Sequence, residues 1–170
     1  MRRLAAILIL GVSSIICVSA CQKNGEKVSR YADAQYGFTI NAPKFPTASA
    51  GSQVVPVMMF APGRRGFASN VNVIVEQVGI SRKDYRDRTL KRFGASGYAL
   101  HSERNLTVSG RDAILFDFEG RMGTRALRFL ELAVFDTNRF YSITCAAPRN
   151  RFSDYEAALR ACLDSFELTE

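Results

Sequence analysis

The chain has little of what most enzymes use for chemistry. Its 170 residues include one histidine, His101, and four cysteines without a Cys-x-x-Cys pair. It has no Gly-x-Ser-x-Gly elbow, zinc-ligand spacing, glycine-rich phosphate loop or dinucleotide fingerprint. One imidazole cannot build a metal cluster, and the pattern favours a surface histidine over a general base. The sequence therefore predicts a protein that is not an enzyme and holds neither a metal nor a cofactor.

The amino terminus has the features of a targeting segment. Two arginines at positions 2 and 3 precede an apolar run at residues 4–18, and two small residues then lead into Cys21. A basic start, a short apolar run and a small-residue cleavage site predict a secretory signal over residues 1–20. The run is shorter than the ~20 apolar residues that a membrane span needs.

The residues at the cleavage site, Val18-Ser19-Ala20-Cys21, resemble the lipobox of bacterial lipoproteins. The resemblance implies that the Cys21 thiolate accepts a diacylglycerol and that several acyl chains hold the protein on a bilayer. Gln22 stands where Asp favours inner-membrane retention in Gram-negative lipoproteins, which implies an outer-membrane anchor facing the periplasm in a Gram-negative host. The alternative is an uncleaved apolar helix with an incidental cysteine.

The mature part fits one domain. A chain of about 150 residues buries ~68–70% of its unfolded surface and needs no metal or disulfide lattice to fold. The whole chain has a net charge of +7, with both signs interspersed, which favours solubility over binding to anionic lipid or polysaccharide. Export argues against nucleic acid as a partner. Residues 21–35 are polar and aperiodic, which predicts a tether ahead of a folded domain at 36–170.

Strand patterns dominate the predicted domain. Apolar and polar residues alternate at 38–41 and 71–76, and the apolar run at 54–60 contains a proline, as is typical of an edge strand or a bulge. Glycine and Asp-Thr-Asn turns separate the strands that follow, which predicts a meander of antiparallel hairpins. These four strands are predicted at residues 98–108, 112–122, 125–135 and 139–146.

Two amphipathic helices complete the pattern. Ser81 is predicted to cap the first, with Asp84 three residues on, and the helix face that carries Arg92 is predicted to be solvated. Ser153 and Glu156 predict a capping box for the second. About seven strands and two helices predict an α+β sandwich, a mostly antiparallel sheet with helices packed on its faces.

Three short segments resemble the PsbP-like and DcrB-like domains. They are Tyr36-Gly37-Phe38-Thr39-Ile40 with Pro43, Gly110-Arg111-Asp112-Ala113 at the central hairpin, and Ser165-Phe166-Glu167-Leu168 after the last helix. The resemblance covers most of residues 36–168 and implies a PsbP-like sandwich. It also implies a binding or accessory module of exported lipoproteins, and it supplies no catalytic residue.

Cys145 and Cys162 are the only cysteines that remain beside the lipidated one. Cys145 lies on a predicted strand and Cys162 on the apolar stripe of the last helix, and a strand commonly packs on the helix that follows it. In an oxidising compartment we expect a disulfide, which would stabilise the fold by about 3 kcal/mol. Two buried free thiols are the alternative.

Two carboxylates stand inside apolar strands. If the hairpin turns at Gly123, Asp117 and Glu131 are expected to lie diagonally on one face, where paired carboxylates serve acid–base work or bind a hard cation. The alternatives are neutralisation by nearby arginines, or a register shifted by one residue, which would separate the two side chains.

The leading functional hypothesis is an envelope-anchored, non-enzymatic accessory module that docks on another envelope protein. Its contact surface is predicted at a groove between the sheet and the loop that carries Arg64 and Arg65, although a solvated loop is the simpler interpretation. The alternative is a binder of a small anionic or lipid-like ligand, in a pocket under the first helix near Tyr85, Phe93 and Tyr98. A carboxylate-dependent hydrolase is a weaker third hypothesis.

Overall fold

The computed structural model describes residues 29–42, 47–48, 57–60 and 67–169. The helices are α1 (Arg82–Ser96) and α2 (Phe152–Asp164), and a 3-10 turn at Arg149–Arg151 leads into α2. The strands are β1 (Ser29–Asp33), β2 (Phe38–Ala42), β3 (Thr47–Ala48), β4 (Val57–Phe60), β5 (Asn70–Glu76), β6 (Ala99–Val108), β7 (Arg111–Met122), β8 (Arg125–Phe135), β9 (Phe140–Pro148) and β10 (Glu167–Leu168). Within these ranges, neither helix has the length and apolar character needed to cross a bilayer.

The strands form two antiparallel sheets. The large sheet has the order β3-β4-β5-β9-β8-β7-β6, and the small sheet has the order β1-β2-β10. Strands β6 to β9 are neighbours in chain order, so the predicted meander is confirmed. The α+β sandwich is confirmed as well, because α1 and α2 pack on opposite faces of the large sheet.

Glycines with a positive φ close the tight turns of the meander. Gly110 (φ +75°) lies between β6 and β7, and Gly123 (φ +61°) lies between β7 and β8. A residue without a Cβ adopts this region without steric cost, so the chain reverses within two residues. These turns set the register of the long hairpins, which pairs Met122 with Arg125 and, further along, Phe116 with Glu131.

The central strand β8 is apolar on both faces because both helices cover it. Leu130 and Leu132 pack in the core under α2, whereas Phe129 and Ala133 pack in the core under α1. Side chains alternate between the faces of a strand, so a strand buried on both sides loses the polar half of the alternation. The sequence pattern at 126–135 is explained by this position.

The two helices begin differently. The predicted cap of α1 is confirmed: the Ser81 hydroxyl oxygen accepts a hydrogen bond from the Asp84 amide at 3.0 Å. The capping box predicted for α2 is wrong, because the 3-10 turn runs directly into the helix. Arg151 occupies the N-cap position without a side-chain cap, and Ser153 lies inside the first turn.

The amino-terminal strand lies inside the segment predicted as a tether. Strand β1 pairs with β2 along its whole length, with Tyr31 opposite Ile40. The Tyr31 ring packs on Phe38 at a centroid distance of 5.9 Å. Residues Ser29–Asp33 are therefore part of the small sheet and not only a tether.

Cys145 and Cys162 are free thiols in the structure, so the predicted disulfide is not formed. Both side chains are buried in the core under α2, and the Cys145 sulfur faces the Leu159 carbonyl at 3.9 Å. Burial raises the pKa of both thiols, that of Cys162 to about 12. In this arrangement both cysteines pack as apolar core residues, which agrees with the alternative of two buried free thiols.

Candidate binding surfaces

A pocket of about 420 Å³ opens between α1 and the segment that joins β5 to it, and we call it the α1 pocket. A volume of this size is typical of small-molecule sites. One wall is apolar, and the α1 side carries two guanidinium groups. The apolar wall is formed by Val78, Ile80, Tyr85 and Phe140, and the two guanidinium groups belong to Arg88 and Arg92.

The wall of the α1 pocket is held in place by a partly buried hydrogen bond. Glu131 projects from β8 toward α1, and its carboxylate accepts a hydrogen bond from the Tyr85 hydroxyl. The Tyr85 ring also packs against Phe140 and Phe135, with centroid distances of 4.6 and 5.7 Å. A ring fixed by its hydroxyl and by two aromatic neighbours presents a rigid apolar surface to the pocket.

The electrostatics of this pair follow from burial. Glu131 is 5% exposed, and burial raises its pKa, opposed by the hydrogen bond from Tyr85 and by the charge of Arg92. Burial and the neighbouring Glu131 carboxylate also raise the pKa of Tyr85, so its hydroxyl remains a donor at neutral pH. The Tyr85 hydroxyl and the Glu131 carboxylate therefore have a structural role and support the wall of the α1 pocket.

The two arginines of the α1 pocket differ in their contacts. The Arg92 Nη2 atom lies 3.6 Å from Glu131 Oε2, and its side chain is half exposed. Arg88, one turn earlier, makes no ion pair with any described residue. Side chains four residues apart on a helix are neighbours, so two like charges repel each other at this place.

A second depression, which we call the β6 groove, lies on the opposite face of the large sheet. It has a volume of about 620 Å³ and runs between β6 and the carboxyl end of α2. Arg104 stands at its rim, and among the described residues it makes no ion pair. The apolar floor is formed by Leu106, Val108, Leu115, Leu132, Leu163 and Phe166.

The expectation that Asp117 and Glu131 share a face is wrong. The register pairs Phe116 with Glu131 and Asp117 with Leu130, so the two carboxylates project from opposite faces of the sheet. Asp117 instead contacts Arg128 and Arg160 on the α2 side. The turn at Gly123 shifts the register by one residue relative to the expected pairing. Because successive side chains of a strand point to opposite faces, this shift puts Asp117 and Glu131 on different faces.

Of the three residues predicted near a pocket under α1, only Tyr85 lines it. Phe93 is 3% exposed and packs on Phe118 at a centroid distance of 4.3 Å. The Tyr98 ring stacks on Phe118 at 5.7 Å. Phe93 and Tyr98 therefore belong to the core under α1, toward the carboxyl end of the helix.

The remaining predicted positions divide into two groups. Cys21, Arg64 and Arg65 lie outside the described residues, as does the signal segment. His101 lies on β6 at an irregularity in the ladder, exposed to solvent, with Nε2 3.2 Å from a Glu119 carboxylate oxygen. Within the described part of the chain, no three His, Cys, Asp or Glu side chains are grouped as metal ligands.

Sequence reasoning missed the arginine pair and the groove. Arg92 falls on the helix face predicted as solvated, and its approach to the buried Glu131 depends on how α1 is rotated over the sheet. The i, i+4 spacing of Arg88 and Arg92 was a visible signal. The β6 groove had none, because its floor combines residues of three strands with the end of α2.

Comparison with known proteins shows the fold. No known protein family and no curated protein matches the sequence of this chain. The solved structure of cyanobacterial PsbP (CyanoP) from Synechocystis sp. PCC 6803 matches it with a TM-score of 0.64 and 15% identity, covering 89% of this chain and 98% of that one. The resemblance to PsbP-like domains is therefore confirmed at the level of the fold.

Two further structures share this architecture. LpqN of Mycobacterium tuberculosis, described as involved in cell envelope biogenesis, matches with a TM-score of 0.65 and 10% identity, over 85% of this chain and 91% of that one. PA94 of Pseudomonas aeruginosa, a protein of unknown function, matches with a TM-score of 0.60 and 14% identity, over 81% and 94%. At these identities, function does not follow from fold.

Proposed function

We propose that this protein is a non-enzymatic docking module of the cell envelope, which binds an extended segment of another envelope protein along β6. The observation that carries the proposal is the free edge of β6 beside the β6 groove. β6 is the last strand of the large sheet, and within the described residues it pairs only with β7. A long strand with an unpaired edge offers its amide and carbonyl groups to a further strand.

The register of β6 indicates where such a segment pairs. The ladder between β6 and β7 is irregular between Leu100 and Ser102 and regular from Ser102 to Val108. A bulge disturbs an edge, whereas a regular stretch of seven residues accommodates a strand of ordinary length. The docked segment therefore lies along Ser102–Val108.

The β6 groove supplies side-chain specificity. Leu106 and Val108 point from β6 into it, over the apolar floor. Alternate side chains of a docked strand face the same side, so the partner is expected to carry an apolar residue at every second position. Arg104 at the rim favours a carboxylate in the partner, because a guanidinium donates two parallel N–H···O bonds to a carboxylate.

We further propose that Cys21 holds the module on the membrane. The basic start, the apolar run and Val18-Ser19-Ala20-Cys21 support this proposal, and the description of LpqN, a fold relative, agrees with an envelope location. Mass spectrometry of the mature chain tests it. We expect a first residue at Cys21 carrying a diacylglycerol, and an unprocessed chain for Cys21→Ala. An unmodified Cys21 in the wild-type chain would refute lipidation.

Site-specific photocrosslinking tests the docking surface. A photoreactive residue replaces Thr107 on β6 of the full-length chain in its host, and the matched control places it at Lys91 on α1. Both positions are exposed, and Thr107 lines the β6 groove whereas Lys91 does not. We expect one envelope protein crosslinked at position 107 and absent at 91, with the crosslink in an alternating apolar segment.

A charge reversal completes the test. Arg104→Glu should weaken the crosslink, whereas Arg125→Glu, an exposed arginine at the start of β8, should leave it unchanged. Equal recovery at positions 107 and 91 would refute docking at β6. A crosslink between two copies of this chain would also refute it, and would assign the edge to self-association.

A further inference from the structure

The α1 pocket has features of a ligand site that the docking function does not use. It lies on the opposite face of the large sheet from the β6 groove. Its wall is preorganised, because Tyr85 is fixed by Glu131 and by Phe140. Preorganised aromatic walls bind ligands without losing side-chain entropy.

The charges along α1 are arranged unevenly. Asp84 is engaged at the helix start, where its carboxylate accepts a hydrogen bond from the Ser81 hydroxyl at 2.7 Å. Arg88 and Arg92 follow one and two turns later, and among the described residues Arg88 has no ion-pair partner. Two adjacent guanidinium groups repel each other, and an anion placed between them removes this repulsion.

Two carboxylates, those of Glu76 and Asp84, line the α1 pocket and limit which anion fits. Glu76 ends β5, lines the α1 pocket and makes no ion pair with a described residue. Its negative charge repels a second charge on the ligand, so a monoanion is favoured over a dianion such as hydrogen phosphate. The apolar wall of Val78, Ile80 and Phe140 requires a compact apolar body attached to the anionic group.

We propose that the α1 pocket binds a small organic monocarboxylate, whose carboxylate lies between Arg88 and Arg92 and whose apolar body packs on Tyr85 and Phe140. The guanidinium groups of Arg88 and Arg92 donate N–H···O hydrogen bonds to the carboxylate. Val78, which is 48% exposed, is covered by the ligand. This site stands independently of docking at β6, and either can fail without the other.

The first test is ligand-observed NMR on the full-length chain, purified in detergent, with 3-phenylpropanoate as the probe. The neutral analogue 3-phenylpropanamide has the same body without the charge. We expect saturable binding of the acid, and binding of the amide about tenfold weaker, which corresponds to one lost charge-assisted contact. Equal binding of both, or no binding of the acid, would overturn the proposal.

Variants locate the site. Arg88→Gln should weaken binding of 3-phenylpropanoate about tenfold, whereas Lys91→Gln, an exposed cation on the same helix, should leave it unchanged. Both changes lie on the surface, and thermal melts verify that both variants fold. Equal affinities of the two variants would overturn the assignment to the arginine pair.

Inorganic phosphate serves as the competitor. Because it lacks an apolar body and carries more charge, we expect it to displace 3-phenylpropanoate only at about a tenfold or higher excess. Displacement at equal concentration would show a general anion site in place of one for an amphipathic monocarboxylate, and would refute the ligand class proposed here.

Discussion

Arg128 on β8 donates two parallel hydrogen bonds to Asp117 on β7, from Nε to Oδ1 and from Nη2 to Oδ2, each 2.9 Å long. Arg160 on α2 adds a third at 3.0 Å. The Arg128 guanidinium also lies 4.6 Å from the centre of the Phe152 ring, at the start of α2. The buried Asp117 carboxylate therefore links α2 to the large sheet. This role is structural and does not support the hydrolase hypothesis.

The first prediction concerns Asp117→Asn. Burial raises the pKa of Asp117, but its hydrogen bonds and ion pairs with Arg128 and Arg160 outweigh burial and place the pKa below its usual range. The stabilisation is therefore present above the unfolded-state pKa of about 3.9, and it is lost as the pH falls through the folded-state value. Asp117→Asn should lower the free energy of unfolding by about 2 kcal/mol at pH 7.

Urea denaturation at pH 7 and at pH 3 measures this effect. The difference between Asp117→Asn and the wild type should shrink at pH 3, where the wild-type carboxylate is mostly protonated in the unfolded chain. Asp164→Asn, a change of an exposed carboxylate at the end of α2, serves as the control. Equal losses for both variants at pH 7 would contradict the role given to Asp117.

The second prediction concerns Glu131→Gln. Because burial raises the pKa of Glu131, its contribution to stability is fully present below the unfolded-state value of about 4.3. It is lost as the pH rises through the folded-state pKa, where a buried group must ionise. A glutamine still accepts the hydrogen bond from Tyr85 and carries no charge. It should therefore stabilise the protein by about 1 kcal/mol at pH 7 relative to the wild type.

Chemical denaturation between pH 4 and pH 7 tests the sign of this effect. The gain of Glu131→Gln over the wild type should grow with pH, and at pH 7 it should exceed the change caused by Glu76→Gln at an exposed carboxylate. A gain that is constant over this range would mean that folding does not raise the pKa of Glu131, and would contradict this prediction.

The sequence predicts the elements of this fold better than it predicts which side chains meet. The meander and the start of α1 follow from alternation, glycine turns and the Ser81 cap, all of which are local signals. The face of the sheet from which Asp117 projects does not follow from local signals. Strands β7 and β8 are both apolar on both faces, so the pattern does not fix their register, and one residue in the turn decides it.

The candidate sites were predicted in part for the same reason. Tyr85 follows from the apolar stripe of α1, and the structure places it at a pocket. Phe93 belongs to the same stripe but packs in the core, because its end of α1 covers strands β6 and β7. Helical periodicity identifies the buried face, and only packing shows where that face is incompletely covered.

The third prediction concerns the buried thiols. Burial raises the pKa of Cys145 and Cys162, so neither forms a reactive thiolate at pH 8 in the folded protein. We expect both to resist iodoacetamide in the folded protein and to be alkylated together once it is unfolded in guanidinium, as counted by peptide mass spectrometry. The protein should also be isolated from an oxidising compartment and unfolded. If neither residue is then alkylated until a reductant is added, the two cysteines form a disulfide instead.

The last prediction concerns Gly120, on which the Tyr98 ring lies. A Cβ at this position would overlap carbon atoms of that ring, which stacks on Phe118 and on Phe129 at centroid distances of 5.7 and 6.0 Å. Gly120→Ala must therefore displace Tyr98 from the aromatic core under α1. We expect a loss of about 1–3 kcal/mol in the free energy of unfolding, the usual cost of overpacking.

A double-mutant cycle distinguishes this contact from a general cost of substituting a strand glycine. In the Tyr98→Ala background the overlap is gone, so Gly120→Ala should cost little, and the two changes should be strongly non-additive. Gly94→Ala is the matched control, because no atom lies within 4 Å of its added Cβ. It sits inside α1, where alanine is favoured over glycine by about 0.5–1 kcal/mol, so this variant should be stabilised. Additive losses for Gly120→Ala and Tyr98→Ala would show that the ring does not rest on this glycine.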